Sequence, residues 1–317
     1  MAQSELPFGV ALENVWADYR RCAARSRALK RRLDAIRVWA LALFIGGAAL
    51  GVLSAQLPLS DALVEALALV SAAAIALSAY LTAQALDAGL ERGWIEVRSV
   101  AEGLKSEAHR FLAKAPPYDA ADAPERLAET VRALRLRLRL GEFVHIGEAE
   151  RLAGLPRSWL GPDEYVQQRV RDQIDYFERR AAEHARNAQR LKLCTIALGA
   201  VGVVLAAAHG VYPQADALPA WLGVIGTVSG AVTTYLFANR LLFLTASYET
   251  TALRLRFALE DWSRVPKEGQ AAALGPFVGK VEDILLLENR QWVAEFDRPP
   301  EKPADAQPPG PGVGNGG

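Results

Sequence analysis

Apolar and polar positions segregate along this chain into long blocks, and the blocks recur. The first apolar run, "VWALALFIGGAALGVLSAQ" at residues 38–56, has no charged residue, and neither has the second, at residues 66–86. A third covers residues 193–208 and ends at His209 and Gly210; a fourth, uncharged, covers residues 217–239. A bilayer core takes ~20 apolar residues in a helix, with ~17 tolerated, at ~1.5 Å of rise each. The first, second and fourth runs reach that length outright, and the third does so with residues 209–212 in the headgroup region. Core helices of soluble proteins seldom run so far without a charge. The pattern therefore predicts four transmembrane helices, over about residues 38–57, 66–86, 193–212 and 217–239.

The polar blocks orient these spans. The linkers inside each pair, "LPLSDALVE" and "HGVYPQAD", contain no Lys or Arg. Ahead of the first run stand Arg20, Arg21, Arg25, Arg27, Lys30, Arg31, Arg32 and Arg37, and ahead of the third Arg179, Arg180, Arg186, Arg190 and Lys192. Arg92 and Arg98 follow the second run; Arg240, Arg254 and Arg256 follow the fourth. Basic residues stay on the cytoplasmic side, so both termini and the centre are expected there. Trp39, Tyr80, Trp221 and Tyr235 occupy positions suited to interfacial aromatics. A signal peptide is the competing reading of the first run, but its length and the acidic residues Glu5, Glu13, Asp18 and Asp34 ahead of it favour an anchored helix.

Each half of the chain reads charged helix, apolar helix, tight turn, apolar helix, charged helix. "SAYLTAQALDAGLERGW" from Ser78 parallels "TTYLFANRLLFLTASY" from Thr233, and a heptad follows each. Leu90, Trp94, Val97, Ala101, Leu104, Ala108 and Phe111 step by four and three; so do Leu241, Thr245, Tyr248, Ala252, Leu255, Leu259 and Trp262. Such stripes are coiled-coil seams. They predict that the second span of each pair continues unbroken into a stalk, making a rod of about 70 Å from Leu63 to Phe111. The expected fold is an all-α integral membrane protein: two parallel-repeat hairpins with long cytosolic helical, coiled-coil extensions. Residues 1–117 form the first unit, 118–163 a mostly helical connector, 164–297 the second unit and 298–317 a Pro/Gly-rich disordered tail. Within the connector, "LRLRLRL" is compatible with helix or strand. Residues 277–296 predict an amphipathic helix with Val278, Val281, Leu285, Trp292 and Phe296 on one face.

Composition removes several function classes. The net charge of zero gives no electrostatic footprint for nucleic acid. Cys22 and Cys194 lie in unrelated settings, so no disulfide framework is expected. His109, His145, His184 and His209 are scattered without metal-ligand spacing, and phosphate-loop, dinucleotide and nucleophile-elbow motifs are absent. No enzyme, metal or cofactor is expected. The spans carry no central Asp, Glu, Lys or Arg and the repeat is not inverted, which disfavours ion-coupled transport.

Small and hydroxylated residues are the remaining features of the spans. Gly47 and Gly51 in the first, and Gly226 and Gly230 in the fourth, are spaced for close helix packing. Ser71, Ser78 and Thr82 share one face of the second span, and Thr227, Gly230 and Thr234 one face of the fourth. These hydroxyls either line a watery path or bond to helix carbonyls within the bundle. Glu288 falls on the apolar stripe between Leu285 and Trp292, where a carboxylate needs a partner. Either an arginine after the fourth span, such as Arg254 or Arg256, is that partner, making a latch that folds the C-terminal helix back on the stalk, or Glu288 is a solvated glutamate at the edge of the stripe.

"YVQQRVRDQIDYFERRA", a hairpin, "YETTALRLRFALEDW" and "FVGKVEDILLLENRQWVAEF" together resemble the SLATT family, the two-transmembrane effector domains that associate with SMODS nucleotidyltransferases and SLOG sensors. The first half, ending in "RSVAEGLKSEAHRFLAKAPPY", resembles a companion SLATT type. The resemblance implies a bacterial inner-membrane effector that forms a pore or perturbs the membrane on a nucleotide-linked conflict or defence signal; the four helices of one chain would enclose little space, so a pore requires a homo-oligomer. It implies membrane lipids, with an anionic inner leaflet, and a nucleotide-signalling partner protein. The alternative is a non-conducting membrane scaffold whose cytosolic coiled helices recruit a partner.

Overall fold

The computed structural model describes residues 9–85, 88–136, 148–156, 158–215 and 217–297. Every regular element among them is helical, as the periodicities require. Four helices are long and apolar enough to cross a membrane.

α1 (Gly9–Gln56) and α7 (Asp172–Val211) each combine a charged stalk and an apolar span in one uninterrupted helix. Proline ends both: Pro58 and Pro213 cannot supply the next backbone N–H, so the chain turns and returns as α2 (Asp61–Ala85) and α8 (Ala217–Ala238). α1 packs against α2, α7 against α8, and α1 against α8, so the spans lie in the order α2, α1, α8, α7. Polar contacts tie the hairpins at both ends. At the turns, Gln56 Nε2 donates to the Ala217 carbonyl (3.3 Å) and Trp221 Nε1 donates to Gln56 Oε1 (2.8 Å). At the other end, Arg37 donates to Glu91 (2.9 Å) and reaches Asn239 Oδ1 at 3.5 Å. The hairpins therefore run parallel, as the repeat predicts.

α3 (Ala88–Leu112) and α9 (Leu241–Ser263) carry the two heptads. Trp94, Val97, Ala101, Leu104, Ala108 and Phe111 are buried, as are Leu241, Tyr248, Ala252, Leu255 and Trp262. The two seams do not form a coiled coil with each other. α3 packs on α1 and α9 on α7, and α10 (Lys267–Asp297) closes over both. The expected α10 stripe, Val278, Val281, Leu285, Trp292 and Phe296, is buried throughout.

The expected unbroken rod fails in the second unit. α8 stops at Ala238, and Arg240 adopts a left-handed conformation (φ 48°) before α9 begins. That conformation costs about 1–2 kcal/mol in an L-residue. It is offset because the turn sends Arg240 toward α10, where it pairs with Glu295 (3.0 Å) and stacks on Phe296 (4.7 Å). The side-chain amide of Asn239 bonds back to the Tyr235 carbonyl (2.9 Å). In the first unit the corresponding junction, residues 86–87, lies outside the described residues.

In the connector, among the described residues, α4 (Ala123–Arg135) is followed by α5 (Glu148–Arg151) and α6 (Pro162–Tyr165), which leads through a π-helical turn (Val166–Arg171) into α7. The start of "LRLRLRL" is helical, with Leu134 and Arg135 ending α4 and Leu136 as its C-cap, whereas residues 137–140 and the 298–317 tail lie outside the described residues. Asp18, buried on α1, holds α4 through Arg135, and Trp16 Nε1 donates to the Ala153 carbonyl (3.1 Å).

Candidate functional site: the seat of the last helix and the face of the fourth span

α10 is held by two polar devices within an apolar core. The first is an ion pair removed from water: Arg169 is 2% exposed and Glu282 0%. Arg169 donates through Nε (2.8 Å) and Nη2 (2.7 Å) to the two carboxylate oxygens, and the Tyr165 hydroxyl donates to Oε1 (2.9 Å). The π-helical turn widens the helix so that Arg169 and Val170, adjacent in sequence, are both buried. Burial alone would raise the Glu282 carboxyl; the Arg169 charge and hydrogen bonds override it and hold it down to about 2. A bidentate, hydrogen-bonded pair is what a buried carboxylate requires, and removing either partner strands a charge. His109 lies in the same electrostatic environment. Its Nδ1 is 2.7 Å from the Lys105 carbonyl, and burial together with the Arg169 charge pushes the ring down to about 3.

The second device surrounds Trp292. Trp94 meets it edge-on at 4.8 Å, and the Arg98 guanidinium stacks 4.2 Å from its ring centre while donating to the Tyr248 hydroxyl (3.2 Å). Asn289 Nδ2 donates to the Ser99 carbonyl and hydroxyl, both at 3.3 Å. The motif Glu-Asn-x-x-Trp thus fastens α10 to α3.

Glu288 is buried here (4% exposed), but its charged neighbour is Arg98 on α3, not the expected Arg254 or Arg256. Arg256 is exposed and pairs with Glu178 on α7 (2.5 Å), and Arg254 is half-buried on α9. Sequence spacing within one unit pointed to α9, whereas α10 crosses to the other unit's stalk. Burial raises Glu288 to about 7 against the pull of Arg98, with Glu102 adding to the rise, and its Oε1 has no hydrogen-bond partner.

In the membrane layer the residues singled out from sequence divide into two groups. Ser71 Oγ donates to the Gly47 carbonyl (2.8 Å) and Ser78 Oγ to the Ala40 carbonyl (2.7 Å), both buried between α1 and α2. A Cβ on Gly47 would lie 2.9 Å from Ile75 Cγ1 and 3.2 Å from the Ser71 carbonyl oxygen; one on Gly51 would lie 2.8 Å from Ser71 Oγ. These four are packing residues of the first hairpin. Thr82 bonds back to the Ser78 carbonyl (2.9 Å). On α8 the picture reverses: Gly226 and Gly230 have nothing within 4 Å of where a Cβ would stand. Thr227 and Thr234 are exposed, bonded to the Gly223 (2.7 Å) and Gly230 (2.9 Å) carbonyls.

The sequence reading missed Arg169, Glu282, Tyr165, Arg98 and Asp18. The available signals were the i,i+4 pair Tyr165/Arg169 and an acidic residue, Glu282, within the α10 stripe. Among the described residues no group of three or more His, Cys, Asp or Glu gathers to hold a metal.

Residues 16–126 match a family model described as a protein of unknown function (DUF4231), so the two hairpin units match different models. No curated protein and no solved structure matches the chain. Residues 165–292, the second hairpin with the helices that lock it, match the model of the SMODS and SLOG-associating 2TM effector domain 1, so this second unit is a SLATT domain.

Proposed function

We propose that this chain is a bacterial membrane effector that assembles into oligomers and opens or disorganises the bilayer when a nucleotide-linked conflict or defence signal arrives. It sits in the inner membrane with its helical head and both termini in the cytoplasm, because the basic flanks gather at one end and the turns carry no Lys or Arg. The observation that carries the reading is the face of α8. Gly226, Thr227, Gly230 and Thr234 lie exposed along it, whereas the equivalent glycines of α1 are consumed inside the first hairpin. In lipid, small residues at this spacing let a second helix approach closely. Four spans in a row enclose no lumen, and none of the most apolar eighteen residues of the α7 span is buried. A water path therefore forms between copies, with the α8 hydroxyls available to it. The scaffold reading is weaker, since the heptad and α10 stripes it needs as docking surfaces are buried within the chain.

The test is dye efflux from liposomes, with oligomer mass in detergent, for the full chain and for Gly226→Leu. Multimers that leak when nucleotides are added, and a Gly226→Leu protein that is folded, smaller and silent, support the reading. A wild-type monomer that leaks under no nucleotide overturns it.

A further inference from the structure

On the stalk side of the membrane layer, α1, α3, α7 and α9 line a cleft of about 530 Å³, within the ~300–1,000 Å³ of small-ligand sites. Its wall is basic. α1 contributes Arg27, Lys30 and Arg31, α3 contributes Arg98 and Lys105, and α7 contributes Arg179 and Arg180. The lining carboxylates are Glu102 and Asp172. Three of the cations have further carboxylates set back from the cleft: Arg27 with Glu150 (3.7 Å), Lys30 with Asp34 (2.6 Å) and Arg180 with Glu183 (2.6 Å). Arg31, Arg98, Lys105 and Arg179 make no ion pair among the described residues, so positive charge is in excess even after that pairing. Burial and the nearby Arg169 push the Lys105 ammonium down, against the pull of Glu102, Glu282 and Asp172.

The wall is also aromatic. Trp94 has Lys30 over its face (4.8 Å) and Tyr248 is buried, but Tyr19 and Tyr176 present half-buried rings to the cleft. Cations that bind phosphate, beside rings on which a base can stack, are the chemistry of nucleotide recognition. We propose that this cleft binds a soluble phosphorylated aromatic anion of the nucleoside phosphate class, with its phosphates on Lys105, Arg98 and Arg179 and its ring against Tyr19 or Tyr176.

Depth separates this ligand from a lipid headgroup, which offers the same phosphate. On α1, Lys30 lies about 12 Å and Tyr19 about 28 Å from the start of the span at Val38, at helical rise. Lys105 Nζ sits 5.8 Å from the Tyr19 ring centre, at the deep end. A headgroup reaches the mouth and leaves Lys105 unengaged. Arg98 links the cleft to the seat of α10, because its guanidinium also covers Trp292. A phosphate that draws Arg98 into the cleft loosens that seat. This places the trigger of the proposed effector on the chain itself and rests on that reading only for its consequence, not for binding.

The test is calorimetric titration of the full chain in neutral detergent with ADP, GDP, UDP, adenosine and pyrophosphate, and of the chain in phosphatidylglycerol nanodiscs. At least one diphosphate binds more tightly than pyrophosphate, and adenosine does not bind. Lys105→Met and Arg179→Gln each weaken binding about tenfold or more, the loss of a charge-assisted contact, with unchanged melting. No binding of any of the three diphosphates below about 1 mM, or equal binding by both variants, overturns the proposal. So does a phosphatidylglycerol-dependent signal lost in Lys105→Met without nucleotide binding, which assigns the site to lipid. Binding without any liposome leakage sinks the pore reading and leaves this one standing.

Discussion

Replacing Glu288 with Gln isolates one buried carboxyl that works against the fold at neutral pH. Its ordinary value is 4.5 and burial raises it to about 7, with Arg98 pulling the other way. A raised acid means that the folded state holds the proton where the unfolded state has released it. Stability from this group is therefore full below pH 4.5, declines as pH rises from 4.5 to 7 and stays at its lower level above. The shift corresponds to roughly 3 kcal/mol at pH 8, of which about 2–3 kcal/mol develops between pH 5 and pH 8. Gln keeps the shape and cannot ionise. In detergent, the melting temperature of the variant should exceed that of wild type by several degrees at pH 8, and by little at pH 5. His109 and His184 take up protons over this range in the unfolded chain but not in the fold, and that contribution is common to both proteins and cancels in the difference. A variant that melts below wild type at pH 8 would mean that Glu288 is needed as an anion for Arg98. The same difference at both pH values would mean that its carboxyl does not titrate there; either result refutes the reasoning.

Other outcomes follow from the same contacts. Glu282→Gln or Arg169→Met should each cost about 3–5 kcal/mol in detergent unfolding, while the double replacement costs less than the two together, because no charge is then stranded. His109, pushed down to about 3, favours its neutral form in the fold. Stability should fall by about 2 kcal/mol between pH 7 and pH 5 through this residue, and His109→Gln should flatten that limb in a pH-dependent melt. Gly47→Val forces a side chain against Ile75 and the Ser71 carbonyl and should cost about 1–3 kcal/mol, whereas Gly226→Leu should leave the melting temperature unchanged. Ser78→Ala should lose about 1 kcal/mol by removing its bond to the Ala40 carbonyl.

Much of this protein is written in local pattern. Uncharged runs of bilayer length, basic flanks at one end, Pro58 and Pro213 after two of the runs, and the heptads on α3 and α9 each report a property of a short segment. From these the spans, their parallel pairing and the buried stripes were legible without coordinates. What covers each stripe was not. A heptad says that a face is apolar but not which face meets it, so only the tertiary structure pairs the seams with α1, α7 and α10. The break at Arg240 was hidden for the same reason: its left-handed turn is favourable only because Glu295 and Phe296 are there to receive it. The glycines show the limit most plainly. Gly47 and Gly226 have the same spacing motif and the same composition around them, yet one is filled by α2 and the other is open. The tertiary structure alone decides this, since it depends on which helix arrives from elsewhere in the chain. It also paired Arg169 with Glu282 and set Glu288 near Arg98, since charge interactions in a dry core depend on distances that no local spacing fixes.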